Sequence, residues 1–108
     1  MGVRKKRRRV IKYKEHEFIW WVAPDGDDCD RIYLNIISED KSVILSYRVG
    51  EGSFVIINKG RMFQGQKSSG KWELYGIPFE EPLMIVTPKD VAQIVEWAVN
   101  GSNAVRLE

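Results

Sequence analysis

The hydrophobic pattern is densest at residues 17–23, which read Glu-Phe-Ile-Trp-Trp-Val-Ala. Side chains alternate across an extended strand, so Phe18, Trp20 and Val22 share one face and Ile19, Trp21 and Ala23 the other. Both faces are apolar. A strand of this kind is expected to be central and covered on both sides. The segment from Val10, with Val10, Ile11 and Tyr13 among lysines, reads as a first strand that turns near Glu15 and His16 into this central one.

Period-two alternation continues downstream. Ile32, Leu34 and Ile36 alternate with Tyr33 and Asn35 over residues 31–37, and Val43, Leu45 and Tyr47 alternate with Ile44, Ser46 and Arg48 over 42–48. Residues 53–57, 61–63, 71–75 and 83–86 give four further short strands. Turn-forming stretches separate them: residues 24–30, rich in Asp, and residues 38–41, 49–52 and 58–60. Residues 64–70 read as a polar, mobile loop. One helix is expected near the C-terminus. Thr87 is its N-cap, Pro88 its first residue, and Asp90 completes a capping box. Val91, Ile94, Val95 and Ala98 form the buried stripe, Gln93, Glu96 and Asn100 face away, and Asn100-Gly101 ends the helix.

These elements predict an α+β domain: an antiparallel β-meander of seven to eight short strands, forming a bent sheet or partial barrel, with the helix packed on it. Its span is residues 10–101, between a basic N-terminal arm (1–9) and a C-terminal tail (102–108). A chain of 108 residues, 44% hydrophobic, suffices for one such core without metal or disulfide support. Cys29 is the only cysteine, so an internal disulfide is excluded. The absence of a long apolar run and of a leader pattern gives the expectation of a soluble, cytoplasmic protein with no membrane contact.

Charge changes the picture. The formal net charge of +2 hides a basic arm on an acidic body: residues 15–108 hold nine basic and fifteen acidic side chains, a net of −6. Arg4, Lys5, Lys6, Arg7, Arg8 and Arg9 form six consecutive cations that belong in no core. Such a run attracts polyanions and suits a phosphate backbone, and it resembles a short nuclear-localisation sequence. A solubilising tail is the plain alternative.

Other candidates fail on spacing. Residues 65–71 match most of a G-x-x-x-x-G-K phosphate loop, but Trp72 replaces the hydroxyl residue that would hold Mg²⁺, and a strand follows where a helix is required. Asp25, Asp27, Asp28 and Asp30 lack the ligand spacing of a calcium loop. His16, the only histidine, falls at a hairpin tip without an orienting partner. Acidic neighbours disfavour a reactive thiolate at Cys29, and one His with one Cys builds no zinc site of the usual type. No metal, cofactor or catalytic residue is therefore assigned, and the sequence leans away from an enzyme.

Most aromatics read as core. Trp72 and Tyr75, with Lys71, flank the polar loop and are the expected partner surface. The order of short strands followed by a helix bearing Trp97 resembles pleckstrin-homology-like barrels, a likeness that implies lipid-headgroup or peptide binding and assigns no residue. The strand leading into a Thr-Pro-capped helix also resembles single-stranded-DNA-binding coactivator folds, which have fewer strands. The leading expectation is a small non-enzymatic binding module with a nucleic-acid-directed arm. A protein-interaction or self-associating (homodimeric) module stands beside it, and a carboxylate-based enzyme behind both.

Overall fold

The computed structural model describes residues 8–25, 31–60, 63–64, 70–101 and 107. Six strands and one helix follow in order: β1 (Arg9–Tyr13), β2 (His16–Asp25), β3 (Arg31–Ser38), β4 (Val43–Arg48), β5 (Ser53–Asn58), β6 (Trp72–Gly76) and α1 (Pro88–Asn100). Each strand pairs antiparallel with the next, and the spatial order of the sheet is the sequence order. The sheet is open, with β1 and β6 at its edges. At the outer side of β6, the Leu107 N–H donates to the Leu74 carbonyl at 2.9 Å.

The antiparallel α+β architecture stands, with six strands among the described residues where seven or eight were expected, in a sheet that is not closed. Residues 83–86 are irregular, not a strand. Pro82 starts this segment without a backbone donor. Leu83 is then held from the side: its N–H donates to the Tyr47 hydroxyl at 3.0 Å and its carbonyl accepts from the Gly50 N–H at 2.8 Å. Phe63 and Gln64 lie in a turn, while residues 61–62 fall outside the described residues.

The core lies between one face of the sheet and α1. Phe18 and Trp20, Leu34 and Ile36, Leu45 and Tyr47, and Phe54 and Ile56 come from four adjacent strands. The helix contributes Val91, Ile94, Val95 and Ala98. Phe63 is fully buried between Tyr75 and Trp97, at ring-centroid distances of 5.1 and 5.4 Å. Gln64 beside it satisfies the end of the helix: its N–H donates to the Ala98 carbonyl at 2.8 Å, and its Nε2 to the Trp97 carbonyl at 2.9 Å. The segment expected to be mobile from residue 64 thus begins at an anchor; residues 65–69 fall outside the described residues.

At the N-terminal end of α1, Thr87 Oγ1 accepts from the Asp90 N–H at 3.3 Å and the Thr87 N–H donates to Asp90 Oδ2 at 3.0 Å, completing the expected capping box. At the β3–β4 turn, buried Ser38 accepts from the Val43 N–H at 3.0 Å and donates to Asp40 Oδ1 at 2.9 Å. The Ser42 N–H bonds to the same carboxylate at 2.9 Å. These bonds, the Ser42 N–H foremost, hold the Asp40 carboxyl below its ordinary value of 3.8.

Candidate binding surface

Period two gives β2 to β5 a second face, and the strand registers line its residues up. Val10 pairs with Ile19, Ile19 with Ile37, Ile37 with Ile44, Ile44 with Ile57, and Ile57 with Trp72. One apolar row therefore crosses all six strands, with five interstrand steps of ~4.8 Å giving a length of roughly 24 Å. The row beside it runs Trp21, Asn35, Ser46, Val55 and Leu74.

This face is open. The helix and Leu83 sit on the other side of the sheet, against Tyr47 and the core. The expectation that residues 17–23 are covered on both sides is corrected here. Trp20 is buried under the helix, whereas Ile19 and Trp21 are only half-buried, and no strand or helix among the described residues lies over them. At the ends of the row Val10 and Trp72 are 62% and 51% exposed. Between Trp21 and Trp72 lies a groove of about 480 Å³ with Asn35, Ile37, Ile44, Ser46 and Val55 as its floor. No ionisable side chain lines it. It can hold apolar matter and offers nothing that moves a proton.

The residues expected to act lie in different places. Arg4, Lys5, Lys6 and Arg7 fall outside the described residues. Arg8 lies just before the sheet and Arg9 is its first residue: the Arg8 guanidinium stands over the Trp21 ring, 4.3 Å from its centroid, and Arg9 opens β1, with its guanidinium 5.8 Å from the Trp20 centroid on the core side. The basic run thus ends at the margin of the open face. Trp72 is on that face and Lys71 is exposed just before it. Tyr75 is not part of this surface: it is 5% exposed, on the core side, packed on Phe63. Residues three apart in a strand point to opposite faces.

A second groove of about 570 Å³ runs between residues 77–80 and the C-terminal half of α1, with Phe79 and Trp97 in its walls. Its carboxylates, Glu80 and Glu96, are both exposed to solvent. His16 lies beside Glu17 and Glu39 in a shallow depression at the β1–β2 hairpin. Among the described residues no three His, Cys, Asp or Glu side chains gather to hold a metal ion, and no helix is long and apolar enough to cross a membrane. Cys29, Asp27, Asp28 and Asp30 fall outside the described residues.

Of the isoleucine row, sequence reasoning places only Ile19 under cover, as part of the central strand, and does not bring Ile37, Ile44 and Ile57 together with it. The signal for the row is present, because hairpin registers fix which residues align. Comparison of the chain with protein-family models, with curated proteins and with solved structures finds no match.

Proposed function

We propose that this chain is a small non-enzymatic binding module that receives a protein partner on its open sheet face. The observation that supports this reading is the apolar row from Val10 to Trp72, uncovered by any described element. Contiguous apolar surface of this extent, half-buried along its middle and exposed at its ends, marks interaction sites, and a scattering of single apolar residues would not. A nucleic acid on the same face would need cations along it. The floor of the groove has none, and Arg8 stands at the margin. Nucleic-acid binding through the arm is therefore the second reading.

A photo-crosslinking side chain placed at Trp72 in the full chain, with one at exposed Gln93 as control, tests the choice. Protein adducts specific to the Trp72 position, unchanged by nuclease, are expected. Adducts that nuclease removes, and that vanish on deleting residues 3–9, transfer the surface to nucleic acid. The affinity would then show a log–log salt slope of up to ~5 for six phosphates. Equal adducts at both positions overturn the proposed face.

A further inference from the structure

Resting on that reading, we infer that the partner is a second copy of this chain, stacked sheet on sheet about a two-fold axis. Charge is the first argument. A two-fold interface sets each patch against itself, so any charge at its centre meets its own like. Here the centre is neutral. Among the residues whose side chains are described, the charged groups of the face sit at its margin: Arg8 just before β1, the Lys12–Glu17 ion pair (3.5 Å) at the β1–β2 hairpin, and Arg48 at the end of β4.

Hydrogen bonding is the second. Asn35 and Ser46 are cross-strand neighbours and the polar side chains of the groove floor. A carboxamide carries both a donor and an acceptor, so Asn35 can satisfy its own counterpart across an axis passing nearby. A polar pair in an apolar face then fixes register instead of costing an unmatched group.

Shape and area agree. Trp72 projects, 51% exposed, beside a groove of about 480 Å³, so the indole of each copy can enter the groove of the other. Six strands by about six residues give a projected face of roughly 500 Å², hence ~1,000 Å² over two copies before side-chain relief, which meets the lower bound for a biological interface. Two such sheets would pack ~10 Å apart, as in a β-sandwich, with a helix on each outer side.

Sedimentation velocity on the purified full chain at about 100 µM tests this, a concentration suited to a micromolar interface. The expected result is twice the chain mass, retained at high salt. Ile44→Glu puts a carboxylate in the middle of the row, and Trp72→Arg changes only its exposed end. Each should weaken association at least ~10-fold, equivalent to one 1.4 kcal/mol step. Circular dichroism shows whether Ile44→Glu still folds, and Trp72→Arg keeps the test valid if it does not. A dimer that survives Trp72→Arg and a folded Ile44→Glu overturns the inference, as does a wild-type monomer. In the latter case acrylamide quenching, compared with Trp72→Phe, separates the two readings. A quenchable Trp72 leaves the open face for another protein; a shielded one removes both.

Discussion

Tyr47 joins the sheet to the segment that leads into the helix. Its buried hydroxyl donates to the Glu51 carbonyl at 2.7 Å and accepts the Leu83 N–H at 3.0 Å. Tyr47→Phe keeps the ring against Phe54 but strands both backbone groups, so a loss of about 1–3 kcal/mol is expected in urea denaturation. Asp40 gives a pH dependence. Its pKa in the folded chain lies below the ordinary 3.8, so it contributes stability above that value and loses it as the pH falls through it. Asp40→Asn should therefore lower the urea midpoint near neutrality, with the gap to wild type closing as the pH falls below 3.8. Which residues alternate is plain in the sequence; which of them share a surface is less so. Trp72 and Tyr75 both flank the polar loop, yet the pleat sends one outward and the other onto Phe63.

At the scale of the element, the helix is the most legible part, because its signals are local. Thr87, Pro88 and Asp90 are adjacent in sequence and act on one another directly. Thr87→Ala should cost ~1 kcal/mol, read as a shift in chemical denaturation midpoint. Gly101 ends the helix for a steric reason. Its φ of −76° suits any residue, but a Cβ there would lie 2.6 Å from the Trp97 carbonyl oxygen and 2.8 Å from Gln64 Nε2. Gly101→Ala should thus destabilise by roughly 1–3 kcal/mol, and should do so less in combination with Gln64→Ala. Two hairpin turns carry less signal. Lys14 and Lys41 take left-handed backbone, φ 56° and 62°, where Asn or Gly is the usual marker. The strand expected at 83–86 fails for a different cause: the Leu83 N–H and carbonyl bond to the Tyr47 hydroxyl and the Gly50 amide instead of to a neighbouring strand, while Met84 and Ile85 are exposed.

For the whole molecule, the sequence reports that both faces of β2 are apolar and cannot report what covers them. Burial by the chain's own helix and burial by another molecule leave the same alternation. The fold class was therefore readable, while the open face emerged only when the registers aligned Ile19, Ile37, Ile44 and Ile57. A dimer formed there ties stability to concentration: the thermal midpoint should rise with protein concentration for the wild type and stay flat for Trp72→Arg.

The helix is also the last element of the fold to be made. As the chain leaves the ribosome, each hairpin can close on its predecessor at once, because sequence neighbours are spatial neighbours. Leu34, Ile36, Leu45 and Ile56 nevertheless wait for Val91, Ile94 and Val95. A nascent chain stalled before residue 88 would hold a paired sheet bare on both sides, an apolar client for chaperones until translation supplies the thirteen-residue helix.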